Sequence, residues 1–280
     1  MRIKVNFSAN TSLVPNNGKV ILEYVHRCLG RDNEYHDKAS SYSISQLYGG
    51  EISKEDSNCL NFPNGGYFTV SSQDKDFVNN YLLGLINNPE ISYGMKFKNL
   101  EHIKEMFMDG WNHFATLSPF VIKVIYGKGE YGFHTLEGEY KRVDGKWQNC
   151  NDSDYNFEDV VKKYLINKLK KINDTIDLSD FNVKIDEFDE NKVKHNKHKV
   201  KKVLVKNVLN FANQCQMSIF CSRGVAEMLY NIGIGQSTGA GFGTIYKTEN
   251  HHIYRSGKAK LQNSKTKLEN KKAELLSEIA

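Results

Sequence analysis

The amino-acid sequence predicts an α+β protein that is built from two modules in tandem. Segments with strand and helix patterns follow one another in the order β-α-β-β-α-β over about the first 110 residues, and the same order starts again near residue 116. Two modules account for all 280 residues without a long structureless loop. We therefore divide the chain into a first module (1–110), a second module (111–248) and a basic tail (249–280) that we expect to be helical or frayed.

The composition favours a folded, soluble protein. Hydrophobic residues make up 39% of the chain, and the 15 Phe and 15 Tyr supply apolar surface that disordered chains lack. No apolar run approaches the roughly 18 residues that a membrane span needs. The start, Met-Arg-Ile-Lys-Val-Asn, lacks the apolar middle of a signal peptide. We expect a cytoplasmic protein with no membrane partner.

The elements of the first module follow from hydrophobic periodicity. Ile3, Val5 and Phe7 alternate as in a half-buried strand. A helix follows after the Pro15–Gly18 turn, because its apolar residues recur at helical spacing: Val20, Ile21, Tyr24, Val25, Cys28 and Leu29. After a loop at 30–41, strands are predicted at 42–47 and 66–71.

A second helix and a last strand complete this module. The helix has the spacing of the first one, with apolar residues Phe77, Val78, Tyr81, Leu82, Leu85 and Ile86, and Asn87-Asn88-Pro89 ends it. A strand region at 91–106 follows. The resulting order is the split β-α-β, or ferredoxin-like, arrangement.

The second module repeats this order with less regular patterns. We predict a strand at 116–126, a helix at 157–172, and a strand pair at 181–188 and 200–211 that flanks a lysine-rich stretch. A fourth helix is predicted from six apolar residues: Ile219, Phe220, Val225, Ala226, Met228 and Leu229. A glycine-rich loop at 233–243 and a short strand at 244–247 end the module.

Cysteine and histidine spacing gives no sign of a metal site. The five cysteines, at 28, 59, 150, 215 and 221, form no CxxC pair, and their odd number does not suit a disulfide framework. No Asp, Glu or Cys accompanies His102, His113, His134, His251 or His252 at ligand spacing. We therefore expect neither a metal nor another cofactor.

Positive charge is concentrated in one segment, although the net charge is only +5. An acidic cluster at 186–190 is followed by seven lysines between Lys192 and Lys206. Two interpretations stay open, a solvated hairpin tip and a binding surface for a polyanion. The candidate binding residues are Lys194, Lys197, Lys199 and Lys201.

The loop at 233–243 has more glycines than a helix end requires. It contains Gly233, Gly235, Ser237, Gly239, Gly241 and Gly243. Glycine allows positive φ and leaves backbone N–H groups uncovered, so the loop is a candidate anion-binding concavity. It follows a helix and precedes a strand, which excludes the Rossmann fingerprint, and no Gly-Lys-Ser/Thr completes a P-loop. A plain flexible connection is the alternative.

The glycines also carry a family resemblance. Gly233-Ile-Gly235, five residues, and Gly241-Phe-Gly243 resemble the G-h-G-x5-G-h-G signature of the CRISPR RNA-processing endoribonucleases, the sixth Cas family of the RAMP superfamily. The resemblance covers residues 1–248 and includes similar segments at 35–38, 42–47, 68–72 and 116–120. It implies a tandem ferredoxin-like fold and an RNA-binding role for the glycine-rich loop.

The resemblance also implies an activity and its partners. The expected reaction is metal-independent cleavage of precursor CRISPR RNA by attack of a 2′-hydroxyl on the adjacent phosphate, which leaves 2′,3′-cyclic phosphate and 5′-hydroxyl ends. The implied partners are CRISPR repeat RNA and other Cas proteins of an effector complex, with the chain as a monomer or homodimer. One alternative is a non-catalytic RAMP subunit that binds repeat or guide RNA, and another is an unrelated enzyme whose glycine-rich loop holds a nucleotide.

This chemistry needs a base, an acid and positive charge at the phosphate. Histidine suits proton transfer because its ordinary pKa is about 6.5. His36 lies in a polar loop beside Lys38, and the family resemblance implies a catalytic histidine in the loop after the first helix. His26, on the polar face of that helix, is the alternative.

Two further residues are candidates for supporting roles. Tyr24 resembles the tyrosine that some family members use to orient the attacking hydroxyl, but its place on the apolar face of the helix also suits core packing. Lys38 is closer in sequence to the histidine than the corresponding lysine is in some relatives.

Overall fold

The computed structural model describes most of the chain up to residue 249. The described residues are 1–9, 14–15, 19–30, 33–35, 41–56, 59–127, 130–150, 154–186, 198–205 and 208–249. His36, Lys38, Lys194, Lys197 and the predicted tail after Glu249 lie outside these ranges.

The first module has the predicted order of elements. Its helices are α1 (Lys19–Leu29) and α2 (Lys75–Asn87). Its strands are β1 (Arg2–Ala9), β2 (Val14–Pro15), β3 (Tyr42–Ile44), β4 (Glu51–Ile52), β5 (Cys59–Asn61), β6 (Gly66–Ser72), β7 (Glu90–Ser92) and β8 (Met95–Ile103). The main antiparallel sheet runs β3-β6-β1-β8-β7, so the first, second, third and fourth strands of the predicted unit lie in the ferredoxin-like order 2-3-1-4.

The two helices cover one face of this sheet and enclose the first core. Their apolar residues pack with Val5, Phe68 and other inward-facing strand residues. A Cβ on Gly84 of α2 would lie 1.8 Å from the Cys28 carbonyl oxygen of α1. Glycine at this position therefore allows the two helices to approach each other closely.

The second module repeats the arrangement and adds strands to it. Its helices are α3 (Phe157–Ile172) and α4 (Arg223–Ile232). Its strands are β9 (Gly110–Thr116), β10 (Ile122–Gly127), β11 (Glu130–Thr135), β12 (Gly138–Val143), β13 (Lys146–Cys150), β14 (Asn182–Ile185), β15 (Lys199–Val205), β16 (Val208–Gln214), β17 (Gln216–Cys221) and β18 (Ile245–Lys247). The sheet order β14-β17-β9-β18 is again 2-3-1-4, which confirms the tandem ferredoxin-like fold.

Three sequence predictions in this module are wrong. The strand expected at 116–126 is two strands of different sheets, because β9 ends at Thr116 and β10 starts at Ile122. The segments at 181–188 and 200–211 do not pair with each other, since β14 pairs with β17 and β15 pairs with β16. Ile219 and Phe220 belong to β17, and α4 starts only after its N-cap Ser222.

The added strands form an aromatic cluster outside the second core. The sheet β10-β11-β12-β13 packs against the hairpin β15-β16. The Tyr140 ring stacks on Phe211 at 4.1 Å between centroids, and Trp147 lies 5.4 Å from Phe133. This cluster attaches the hairpin that carries Lys199 and Lys201 to the second module.

Direct contacts join the two modules. Arg2 of β1 is fully buried, and its guanidinium group donates to the carbonyl oxygens of Tyr230 and Ile245 and lies 3.6 Å from the centre of the Tyr230 ring. The Ser71 hydroxyl donates to the Asn231 carbonyl at 2.8 Å. These contacts fix the end of α4, and hence the start of the glycine-rich loop, against the first sheet.

None of the helices in the described ranges has the length and apolar character that a membrane span requires.

Candidate functional site

The glycine-rich loop meets the first module at the C-terminal end of α1 and the start of β3. Its short 3-10 turn, Thr238–Ala240, lies on Tyr42. The Thr238 hydroxyl donates to the Tyr42 carbonyl at 2.9 Å, and a Cβ on Gly239 would lie 2.8 Å from the Tyr42 ring and hydroxyl. Only glycine therefore lets the turn pack this closely on Tyr42.

His26 and Tyr42 form a hydrogen-bonded pair at this junction. The distance from His26 Nε2 to Tyr42 Oη is 3.2 Å, and that from His26 Nδ1 to Asn33 Nδ2 is 3.3 Å. The orientation of the Asn33 amide is fixed because its oxygen accepts from the Tyr35 N–H and its nitrogen donates to the Gly30 carbonyl. Since Asn33 donates, Nδ1 is an acceptor and Nε2 carries the hydrogen that it donates to Tyr42.

Tyr42 is held firmly in its protonated form. Its ring stacks on Phe77 of α2 at 4.7 Å between centroids. Burial raises the pKa of Tyr42 to about 12, so the hydroxyl keeps its proton at neutral pH. Because the oxygen accepts from His26, the hydroxyl hydrogen is not used in this contact. Sequence reasoning placed Tyr42 only in a strand and missed this contact.

The sequence led us to expect uncovered backbone N–H groups in the glycine-rich loop, but several of these groups are hydrogen-bonded within the protein. The N–H groups of Gly233, Ile234, Gln236 and Gly243 donate to backbone carbonyls within the protein. A Cβ on Gly243, where φ is +66°, would lie 1.7 Å from the Ile234 carbonyl oxygen. At these positions the glycines allow close packing of backbone on backbone, so these four amides are not available to an anion; the RNA-binding role of the loop stays a prediction.

Tyr24 lies in the first core and not on an open surface. Its side chain is 1% exposed, its hydroxyl donates to the Asn88 carbonyl at 2.9 Å, and its ring meets Phe68 edge-on at 6.2 Å. Burial also raises its pKa well above the ordinary value. This geometry favours the core-packing interpretation of Tyr24.

His36 and Lys38 lie outside the described residues, but the residues on either side of their loop are described. The Tyr35 hydroxyl donates to the Asp74 carboxylate, the N-cap of α2, at 3.0 Å. The Ser41 carbonyl accepts from the Ser72 hydroxyl at 3.1 Å. The loop thus starts and ends beside the N-terminus of α2, next to Tyr42.

Two of the four candidate lysines are described, and both lie on β15. Lys199 is exposed, whereas Lys201 is half-buried. Partial burial and the neighbouring Lys199 charge lower the pKa of Lys201. The hairpin therefore offers positive charge at its surface beside the aromatic cluster.

Within the described part of the chain, no three His, Cys, Asp or Glu side chains come together as metal ligands.

The comparisons with known proteins agree with this architecture. Residues 100–246, more than half of the chain, match the family described as CRISPR associated protein Cas6, C-terminal. The search of curated proteins found no significant match.

Solved structures share the fold at low sequence identity. A protein from a Cas6-related gene of Pyrococcus furiosus has a TM-score of 0.67 and 18% identity, with 88% of this chain and 98% of that chain covered. A RAMP protein described as binding different RNA substrates has a TM-score of 0.65 and 19% identity over 88% and 99% of the two chains. A CRISPR associated protein Cas6 has a TM-score of 0.63 and 16% identity, with coverage of 88% and 98%.

The family match includes β9, α3, α4 and the glycine-rich loop up to β18, the elements that shape the candidate site. The fold, the glycine signature and this match lead to one conclusion: the chain belongs to the Cas6 family of CRISPR-associated proteins.

Proposed function

We propose that this protein binds CRISPR repeat RNA and cleaves precursor CRISPR RNA without a metal ion. Membership of the Cas6 family supports a role in processing repeat RNA. In the proposed reaction the 2′-hydroxyl of one nucleotide gives its proton to a base and attacks the adjacent phosphate, the 5′-oxygen of the next nucleotide takes a proton from an acid and leaves as a hydroxyl, and a 2′,3′-cyclic phosphate forms. Every step is a proton transfer or a phosphoryl displacement, so no oxidant, reductant or cofactor takes part.

One observation carries this proposal. The glycine-rich loop with the family signature packs directly on Tyr42, which is hydrogen-bonded to His26 of α1. His26, a protonated tyrosine and the signature loop therefore lie at one corner of the first module, and Tyr35 and Ser41, on either side of the segment that contains His36, lie beside it. Acid/base residues and hydrogen-bond donors at one place are what 2′-hydroxyl attack requires.

We assign proton transfer to His36, with Lys38 beside it as a source of positive charge at the phosphate. Both ring nitrogens of His26 already interact, with Asn33 and Tyr42. We therefore assign His26 the task of holding Tyr42, whose hydroxyl hydrogen is available to a phosphate oxygen. Tyr24 has no part in this mechanism, because its hydroxyl is directed to Asn88 within the core.

A non-catalytic, RNA-binding role is the second candidate function, and it applies if His36 does not act as an acid or base. His26 would not replace His36, because both of its ring nitrogens already interact with Asn33 and Tyr42. In that case the same corner would bind repeat RNA without cutting it, as expected of a non-catalytic RAMP subunit. The two candidates differ in whether the RNA strand is broken, and the next experiment distinguishes them.

Cleavage of repeat RNA is expected to proceed at an unchanged rate in EDTA. The purified protein would be incubated with labelled repeat RNA in EDTA and, in parallel, in Mg²⁺, and the products separated on a denaturing gel. Equal rates support the proposed reaction. Loss of cleavage in EDTA that Mg²⁺ restores would show a metal-dependent mechanism, and binding without cleavage in both conditions would favour the non-catalytic subunit.

Neutralising Lys194, Lys197, Lys199 and Lys201 to Gln together is expected to weaken binding of all RNA sequences. Each lost phosphate contact lowers the slope of log affinity against log salt by about 0.7 for a single strand, so the slope would fall by up to about 3. Affinity would be measured at several salt concentrations. As a control, four exposed helix lysines, Lys75, Lys163, Lys170 and Lys171, would be changed in the same way. Equal slopes for the two variants would mean that these four candidate lysines contribute no more to RNA binding than the helix lysines do.

A further inference from the structure

Lys168 of α3 contacts the start of the glycine-rich loop. Its Nζ donates to the carbonyl oxygens of Ile232, Gly233 and Gly235 at 3.3, 3.0 and 3.1 Å. These carbonyls belong to the last turn of α4 and the first turn of the loop, where helical carbonyls have no partner within the helix. Lys168 thus connects three backbone carbonyls at the point where the chain leaves α4 and turns into the loop.

The chemistry of this contact requires a charged ammonium group. An ammonium has three N–H donors, one for each of the three carbonyls, whereas a neutral amine has only two. A positive charge is also favoured at the C-terminal end of α4, where the helix dipole is negative. Desolvation lowers the pKa of Lys168 to about 7, which means that placing the charge here has an energetic cost.

The loop that Lys168 holds also has a second attachment on the same side. Gln236 donates its backbone N–H to the Val121 carbonyl at 2.8 Å, and its side-chain amide pairs with the backbone of Lys123 at 3.2 and 3.1 Å. Two residues later Thr238 binds Tyr42, and Gly239 lies against its hydroxyl. Lys168 and Gln236 thus hold the loop only a few residues before the turn that packs on the ring and hydroxyl of Tyr42.

We propose that Lys168 is a positioning residue: its ammonium group fixes the start of the glycine-rich loop and thereby aligns Tyr42 and His26 for RNA cleavage. The proposal rests on the proposed endoribonuclease function. Among the described residues, Lys168 donates to the carbonyls of Ile232, Gly233 and Gly235, and the proposal assigns it no contact with RNA.

The test compares Lys168→Met, Lys168→Gln and Lys168→Arg with the matched control Lys162→Met. Lys162 lies on the same helix and donates to the Asn182 side chain at 3.2 Å, so its loss removes the same charge but no contact with the loop. Three quantities would be measured: the single-turnover cleavage rate at saturating repeat RNA, the Kd for the RNA, and backbone hydrogen exchange of residues 233–243. Thermal melting would show that each variant is folded.

We expect Lys168→Met and Lys168→Gln to lower the saturating rate at least about tenfold, because small displacements of reacting groups have effects of this size. Kd should stay within about threefold, since Lys168 makes no proposed RNA contact. Lys168→Arg, which keeps the charge and has enough N–H donors for the three carbonyls, should recover part of the rate. Exchange in the loop should become faster in the Met and Gln variants, and Lys162→Met should resemble the wild type.

Several results would overturn the proposal. Unchanged rate and unchanged exchange in both Lys168→Met and Lys168→Gln would show that the loop needs no such support. A weaker Kd with an unchanged saturating rate would assign Lys168 to RNA binding instead. If the wild-type protein does not cleave RNA, the proposed function fails, but the hydrogen-exchange comparison still decides whether Lys168 fixes the loop.

Discussion

A single 2′-deoxy nucleotide immediately upstream of the scissile phosphate is expected to abolish cleavage of repeat RNA. In the proposed reaction the attacking group is the 2′-hydroxyl of that nucleotide, so its removal leaves the protein with nothing to activate. Binding should be little affected, because one hydroxyl among many RNA contacts is lost. The measurement is a cleavage time course with the modified and unmodified RNA, together with the Kd of each.

The control for this prediction is a 2′-deoxy substitution one nucleotide further upstream, which removes a hydroxyl that takes no part in the reaction. That RNA should be cut at nearly the normal rate, and its upstream product should carry a 2′,3′-cyclic phosphate. Cleavage of the first RNA at the same phosphate would mean that water or another group attacks, and the proposed mechanism would have to be abandoned.

His36→Ala is expected to reduce the cleavage rate by at least about 10²-fold, the usual scale for loss of a general acid or base. The affinity for repeat RNA should change by no more than a few fold, because a proton-transfer group contributes mainly to the transition state. The rate would be measured in single turnover at saturating protein, and Kd by filter binding of an RNA with the 2′-deoxy substitution.

His26→Ala provides the matched comparison, because His26 lies ten positions earlier in the sequence and was the alternative candidate for the same role. It removes the hydrogen bond to Tyr42 at 3.2 Å without removing the proposed proton-transfer group. We expect a smaller loss of rate than for His36→Ala. The opposite order, with normal cleavage by the His36 variant, would transfer the acid/base role to His26.

The first module could be predicted from sequence because its signals are local. The apolar stripe of α1, with Val20, Tyr24 and Val25 on one face, is visible within one stretch of sequence, and so is the alternation in β1. In the second module the signals were ambiguous. Ile219 and Phe220 are apolar neighbours of a helix, and only the pairing of β17 with β9 and β14 assigns them to a strand.

The added strands of the second module had no local signal that we could recognise. β12 and β13 are largely polar, and they are stabilised by contacts of Tyr140 and Trp147 with Phe211, more than 60 residues away in sequence.

The candidate site likewise combines a feature that is visible in the sequence with contacts that are not. The glycine signature is a pattern of the sequence itself, whereas the contacts of Tyr42 with Thr238 and of Lys168 with Gly233 join distant segments that no periodicity connects.

The buried guanidinium of Arg2 connects the second residue of the chain to Ile245, in the last strand described. During synthesis the first module is made long before these partners exist, and N-terminal domains generally begin to fold first. Until α4 and β18 are made, this guanidinium group must remain hydrated, because an unpaired charge is not buried without a large cost. The part of the first sheet around Arg2 is therefore buried only when the second module packs against it, which makes the docking of the modules a late step that requires the chain up to Ile245.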